Sequence, residues 1–140
     1  IVCTISSSMP RMIKKILIVD DETDILCLLG TLFHAKGHDV TISKDGNEAI
    51  ALLRGKEKFD ILITDIRMIP INGMRLLSLV RKECPTMPVI MVTAYYSKEM
   101  AAEALRMGAF DYISKPFNAQ KLLAIADKAL ESIKRNNVST

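Results

Sequence analysis

The chain has 140 residues, of which 49% are hydrophobic, and it carries a formal net charge of +3. That length suits one domain around a single core, and the hydrophobic content argues against intrinsic disorder. The sequence has no apolar run near the roughly 18 residues of a membrane span, and it begins without the basic and apolar segments of a secretory signal. These features predict a cytoplasmic protein that does not bind membranes.

The positive charge is confined to the start of the chain. Arg11, Lys14 and Lys15 are the only charged residues before Ile16, and the other 16 of the 19 basic residues are balanced by 16 acidic ones. A nucleic-acid interface requires clustered basic side chains. We therefore expect no direct binding to nucleic acid.

The cysteines and histidines do not form a metal-binding motif. Cys3, Cys27 and Cys84 lack the spacing of zinc ligands, and His34 and His38 have no third ligand nearby. Cys27 falls within an apolar helical pattern, so we expect it in the core. The two histidines are expected at the surface.

Strand and helix patterns alternate along the chain. Short apolar runs predict five strands, at about residues 15–19, 40–42, 59–64, 88–92 and 112–114. Apolar residues at helical spacing, with cap residues before them, predict five helices, at about residues 23–36, from 45, from 73 to 83, 97–108 and 118–134. Asp45 followed by Glu48 has the spacing of a capping box.

This (βα)5 pattern predicts an α/β fold. Right-handed crossovers place the helices on both faces of a doubly wound parallel five-stranded sheet, which makes a flavodoxin-like three-layer sandwich. The most apolar strands should be central, which gives the strand order 2-1-3-4-5. Ligands of such sheets bind at the carboxyl ends of strands one and three, where the strand order reverses.

Acidic residues follow the two strands at that point. Asp20 and Asp21 come after the first predicted strand, and Asp65 comes after the third. Two carboxylates about 4 Å apart repel by roughly 4 kcal/mol at an effective dielectric constant near 20. Three ionised carboxylates therefore need a cation, and their oxygen atoms suit a hard divalent metal.

Two further polar residues end neighbouring strands. Thr93 ends the fourth strand and Lys115 follows the fifth, so both should lie at the same edge of the sheet as the acids. A metal and an ammonium group can neutralise phosphoryl oxygens, and a hydroxyl group can donate a hydrogen bond to them. The set therefore suits a phosphoryl group carried on a carboxylate.

With these residues the chain resembles the receiver domain of bacterial two-component response regulators. The resemblance covers about residues 14–131 and rests on four motifs together: the paired acids in VDDE, the lone Asp65, Thr93-Ala94 and Lys115-Pro116-Phe117. It implies a receiver domain at residues 13–134. Residues 1–12 would be a disordered leader or an expression remnant, with a native start at Met9 or Met12, and residues 135–140 a polar tail or the start of a linker.

The resemblance also assigns roles to the residues of the site. It implies that Asp65 accepts a phosphoryl group from a sensor histidine kinase or a histidine phosphotransfer protein. It implies that Mg²⁺ is held by Asp20, Asp21, Asp65 and the backbone carbonyl of Arg67. Thr93 and Lys115 would contact the phosphoryl oxygens.

Switching and lifetime roles are expected of other residues. By the resemblance, Tyr112 is the switch aromatic that responds to Thr93, and the peptide bond before Pro116 is expected to be cis. Arg67 and Tyr95 lie two residues after strand ends, so both could point over the site and restrict water. We expect slow self-dephosphorylation for that reason.

The function implied is a phosphorylation-activated switch, not an enzyme, although it would assist its own Mg²⁺-dependent phosphorylation and dephosphorylation. It would control an output domain or a partner such as a transcription regulator. The surface formed by helix four, strand five and helix five would contact the output domain or form a homodimer. One departure from the family is Ile69, which separates Met68 from Pro70 and predicts a locally altered loop.

Three other functions fit less well. An aspartyl phosphatase has a second acid two residues after its nucleophile, and Glu22 and Thr23 at that distance from Asp20 and Asp21 match poorly. A flavin-binding protein would need a Ser/Thr/Gly-rich loop after the first strand. A degenerate receiver that binds partners without phosphate would not need the full set of five polar residues.

Overall fold

The structure, a computed structural model, describes residues 13–68 and 71–139, with side chains as far as residue 132. The predicted leader at residues 1–12 lies outside the described residues, and so does the predicted alteration of the loop at Ile69 and Pro70. No helix in the described ranges has the length and hydropathy needed to cross a membrane.

Five strands alternate with five helices in the described ranges. The strands are β1 (Lys15–Val19), β2 (Asp39–Ser43), β3 (Ile61–Thr64), β4 (Val89–Thr93) and β5 (Asp111–Ser114). The helices are α1 (Thr23–Ala35), α2 (Gly46–Leu53), α3 (Gly73–Glu83), α4 (Lys98–Arg106) and α5 (Ala119–Ser139). All strands are parallel in the order β2-β1-β3-β4-β5. The predicted fold class is therefore confirmed.

The core has one layer on each face of the sheet. Along β1, Ile16 and Ile18 pack under α1 and α5, whereas Leu17 and Val19 pack under α2, α3 and α4. This alternation follows from the two-residue period of a strand. Strands β1, β3 and β4 are buried on both faces, so they are the rigid centre from which the polar strand ends project.

Four helix starts are capped by side chains, at Asp45, Ser97 and Asn118 as the sequence predicted and also at Asn72, which the sequence had placed in the preceding loop. The side chains of Asp45, Asn72, Ser97 and Asn118 each accept a hydrogen bond from the backbone N–H three residues later. The capping box is modified, because Glu48 accepts from the hydroxyl of Ser43 and the N–H of Lys44 instead of reaching the N–H of Asp45.

Two predictions about the helices were wrong. Cys27 is exposed, because α1 buries the face formed by Leu26, Leu29 and Phe33. Helix α5 runs to Ser139, beyond the predicted end near residue 134. The sequence there lacks the glycine or proline that would stop a helix, and polarity alone does not end one.

A glycine at the start of α3 lets that helix approach the end of β3. A Cβ atom on Gly73 would lie 2.1 Å from the carbonyl oxygen of Asp65, and the Gly73 N–H donates to the carbonyl of Ile66 at 2.9 Å. Gly30, inside α1, is different, because a Cβ there would meet no atom closer than 3.8 Å.

We expect Gly73→Ala to lower the free energy of unfolding by about 1–3 kcal/mol, because backbone must move to admit the methyl group. Gly30→Ala is the matched control and should raise it by up to about 1 kcal/mol, since alanine favours a helix interior. Urea unfolding monitored by circular dichroism measures both. Equal effects from the two substitutions would contradict the close approach at Gly73.

Candidate functional site

The strand register brings the predicted acids together. Val19 pairs with Thr64, so the residues that follow them, Asp20 and Asp65, leave the sheet at the same level. The Asp65 N–H still donates to the Val19 carbonyl at 2.9 Å, which fixes the end of β3 against β1. The carboxylates of Asp20, Asp21 and Asp65 each offer an oxygen within 4.8 Å of the others.

The same register adds Lys115 to the cluster. Thr93 pairs with Ser114, and the Lys115 N–H donates to the Thr93 carbonyl at 2.7 Å. The Lys115 ammonium donates to Asp20 Oδ2 at 2.7 Å and lies 3.5 Å from Asp65 Oδ2. All three of these charged side chains are buried, with Lys115 and Asp65 each 8% exposed and Asp20 3% exposed.

Burial and charge shift the ionisation of both buried acids. Burial raises the pKa of Asp65 above its ordinary value, and the charge of Asp20 adds to the rise, while Lys115 and the Ile66 N–H oppose it. Burial also raises the pKa of Asp20, against the hydrogen bond from Lys115. Additional positive charge nearby would therefore stabilise the ionised form of each carboxylate.

Lys115 keeps its charge in this environment. Burial lowers the pKa of Lys115, but its hydrogen bonds to Asp20 and Glu22 and the charges of Asp20 and Asp65 outweigh burial and raise it overall. The cluster then has three carboxylates facing one buried ammonium group. This oxygen-only donor set with excess negative charge fits a hard divalent cation.

The space beside the cluster is open. A cavity of about 450 Å³ is bordered by Asp21 and Arg67 together with Met68, Met74 and Met100. Asp21 is the acid of the cluster that lines this cavity, so a side chain of another molecule could reach the edge of the cluster from this direction.

The chain matches a known protein family. The family model described as response regulator receiver domain matches residues 16–127. The chain belongs to that family. The regulatory protein AtoC of Escherichia coli is 40% identical over 119 residues, which cover 85% of this chain and 26% of AtoC. The nitrogen assimilation regulatory protein NtrX of Azorhizobium caulinodans is 34% identical over 127 residues, which cover 88% of this chain and 27% of NtrX.

Solved receiver structures agree with the fold of this receiver domain. A CheY-like receiver domain protein from Methanospirillum hungatei superposes with a TM-score of 0.84 at 34% identity, covering 89% of this chain and 99% of that one. NtrX from Brucella abortus gives the same TM-score and identity, covering 91% of this chain and 29% of its own. The chain thus spans about a quarter of the length of the curated relatives it matches.

The side chain of Thr93 is buried at the carboxyl edge of the sheet, where β4 ends. Thr93 is fully buried, and its Oγ1 accepts a hydrogen bond from the Tyr95 N–H at 3.0 Å. A hydroxyl oxygen that accepts in this way still has its own proton to donate. Thr93 can therefore offer a hydrogen bond to an anion at the strand ends.

Tyr112 is buried on β5 with 7% of its surface exposed, and its hydroxyl finds no hydrogen-bond partner among the described residues. Its ring meets the edge of Tyr96 at a centroid distance of 5.2 Å. Sequence reasoning missed Tyr96, since nothing in the order Ala94-Tyr95-Tyr96 shows which tyrosine turns toward β5.

Arg67 and Tyr95 contact each other. The guanidinium carbon of Arg67 lies 3.9 Å from the centroid of the Tyr95 ring, and both side chains are exposed. The sequence placed each of them near the site but did not indicate this stacking. The Lys115–Pro116 peptide bond is cis, the isomer expected from the sequence.

We expect Asp65→Asn to raise the free energy of unfolding of the metal-free protein by on the order of 1 kcal/mol, because it removes a buried charge that burial and Asp20 both disfavour. Urea unfolding in excess EDTA measures the difference. The folded-state pKa of Asp65 is raised, so the difference should be complete above that pKa and vanish as the pH falls through it toward the ordinary value. A variant less stable than wild type at neutral pH would contradict this reading.

Proposed function

We propose that this receiver domain accepts a phosphoryl group on Asp65 from a phosphohistidine of a sensor histidine kinase or a histidine phosphotransfer protein. The phosphorylated form then acts as a signalling switch. The observation that carries the proposal is the convergence of three carboxylates and one buried ammonium group at the carboxyl edge of the sheet, in a chain of the receiver family.

The transfer forms one bond and breaks one. A carboxylate oxygen of Asp65 bonds to phosphorus, the P–N bond to the imidazole breaks, and its electron pair stays on the imidazole nitrogen. Mg²⁺, held by Asp20, Asp21, Asp65 and the backbone carbonyl of Arg67, would supply the positive charge that lets two anions meet.

The remaining charge is handled by this chain's own residues. The Lys115 ammonium, 3.5 Å from Asp65 Oδ2, compensates charge on the phosphoryl oxygens, and the Thr93 hydroxyl donates a hydrogen bond to one of them. These groups bind and orient the phosphoryl group on the protein itself. We therefore describe the domain as a phosphoacceptor that assists its own phosphorylation and dephosphorylation, and not as an enzyme with a separate substrate.

The switch would run from Thr93 to Tyr112. A buried hydroxyl without a partner costs roughly 1–3 kcal/mol, and the Tyr112 hydroxyl has none among the described residues, so an outward position that lets it reach water would compete with the buried one. Movement of Thr93 toward the phosphoryl group would change that balance. The face formed by α4, β5 and α5 would change with it. Leu105 on α4 and Phe110, just before β5, are exposed apolar residues of these segments.

The output of the switch would be control of transcription. AtoC and NtrX are regulatory proteins, and ZraR of Escherichia coli, 36% identical over 115 residues, is a transcriptional regulatory protein. We propose that residues 13–134 are the receiver domain of a cytoplasmic regulator of this kind. The face of α4, β5 and α5 would contact an output domain or form a homodimer.

Incubation with acetyl phosphate and Mg²⁺ should add one phosphoryl group to the wild-type protein, measured by intact mass. Asp65→Asn should remain unlabelled because it lacks the nucleophile, and EDTA should prevent labelling because the carboxylates then repel the incoming anion. Asp127→Asn, an exposed acid on α5, is the matched control and should label normally. Labelling of Asp65→Asn at the wild-type rate would refute the assignment.

We expect the Arg67→Ala, Tyr95→Ala double variant to lose its phosphoryl group about two to five times faster than wild type. The stacked side chains can fence the path of water, and a cation–π contact contributes about 0.5–1 kcal/mol. Decay of the phosphorylated form, timed by mass after removal of the donor, tests this. Tyr95→Phe keeps the ring and should decay like wild type. A double variant that loses its phosphoryl group no faster than wild type would refute the shielding by Arg67 and Tyr95, but not the role of Asp65 as the acceptor.

A further inference from the structure

Glu22 touches the site from its exposed rim. Its carboxylate accepts a hydrogen bond from the Lys115 ammonium at 3.0 Å, although the Glu22 side chain is 60% exposed. Its backbone N–H donates to Asp20 Oδ1 at 2.9 Å. Glu22, Asp20 and Lys115 therefore form a closed ring of hydrogen bonds, which we call the lysine clasp.

Within the clasp, Lys115 occupies an oxygen of Asp20 that a cation would also need as a ligand. Both of its oxygens are engaged, Oδ1 by the Glu22 N–H and Oδ2 by the Lys115 ammonium at 2.7 Å. A divalent cation that took Asp20 as a ligand would bring two positive charges close to that ammonium group. The repulsion would be strong in a buried site, so Lys115 has to move off Asp20.

Besides Asp20, two carboxylates of the described residues contact the Lys115 ammonium group. One is Asp65, at 3.5 Å, but the proposed site uses Asp65 for the cation and the phosphoryl group. The other is Glu22, whose carboxylate lies on the solvent side of the site. Glu22 is thus the acceptor that can keep Lys115 in place without competing for the cation.

We propose that Glu22 is a positioning residue that holds the Lys115 ammonium while a divalent cation occupies Asp20, and that it thereby strengthens cation binding. This inference rests on the magnesium site of the proposed function. Glu22 also raises the local negative charge, so a test has to separate the clasp from a general effect of charge.

A structural role for the Glu22 side chain is small. Glu22 stands at the N-cap of α1, but its side chain makes no capping hydrogen bond. Its bond to Asp20 comes from the backbone, which a substitution leaves in place. Asp24 is a matched control, because it is an exposed acid in the first turn of the same helix and forms no ion pair with any described residue.

Mg²⁺ titration by calorimetry of the whole chain should show about two- to five-fold weaker binding for Glu22→Ala, the range of an ion pair with one exposed member. Asp24→Ala should bind like wild type. NMR of the lysine ε-methylene groups gives a second readout. The Lys115 signal should stay distinct from those of solvent-exposed lysines in Mg²⁺-bound wild type and move toward them in Glu22→Ala.

The decisive comparison is a double-mutant cycle with Lys115→Met. Removing the ammonium group removes its repulsion of a cation bound to Asp20, so Lys115→Met should bind Mg²⁺ more tightly than wild type. In that background Glu22→Ala should weaken binding by less than it does in wild type, because only the charge of Glu22 is then lost. An equal loss from Glu22→Ala in both backgrounds would show that Glu22 acts only by its charge, which would overturn the clasp. Wild-type protein that binds no Mg²⁺ would instead refute the magnesium site itself.

Discussion

The carboxyl edge of the sheet gathers more negative charge than its own lysine can neutralise. Asp20 and Asp65 are buried there beside the exposed Asp21, with one buried ammonium group in contact. Burial raises the pKa of both buried acids although Lys115 opposes the rise, so the solvation lost by these groups is not recovered within the protein. That imbalance makes the edge receptive to a cation and then to an anion, which are the two steps that a phosphoacceptor requires.

The sheet, more than the loops, fixes where these groups lie. β1, β3 and β4 are packed on both faces by apolar side chains, and their register sets the ends of β1 and β3 at one level, while β4 runs two residues further to Thr93. Gly73 then brings the start of α3 against the backbone of Asp65, which leaves that segment little freedom. A site built on rigid elements holds charges close together that would otherwise move apart.

The sequence predicted what depends on strand periodicity and missed what depends on side-chain conformation. Asp20 and Asp65 could be placed together, because an apolar run that ends in acid marks a strand end in a parallel sheet. The contact between Glu22 and Lys115 could not be found, since two long side chains choose among several partners only in three dimensions. Cys27 was misplaced for a related reason: residues 25–29 of α1 are all apolar, so periodicity could not decide which face is buried.

The loop between β4 and α4 connects Thr93 at the strand end with the exposed residues around the site. Tyr95 is bonded through its backbone N–H to the Thr93 hydroxyl, while its ring stacks on Arg67. The next residue, Tyr96, contacts Tyr112 on β5. A displacement of the Thr93 hydroxyl would therefore break its hydrogen bond with the Tyr95 N–H or draw along the backbone that holds both tyrosine rings. Because close-packed side chains shift between discrete arrangements, a small movement at Thr93 can alter the packing of Tyr112. Under the proposed function, the same short segment would shield the acyl phosphate through Tyr95 and transmit its presence to β5 through Tyr96.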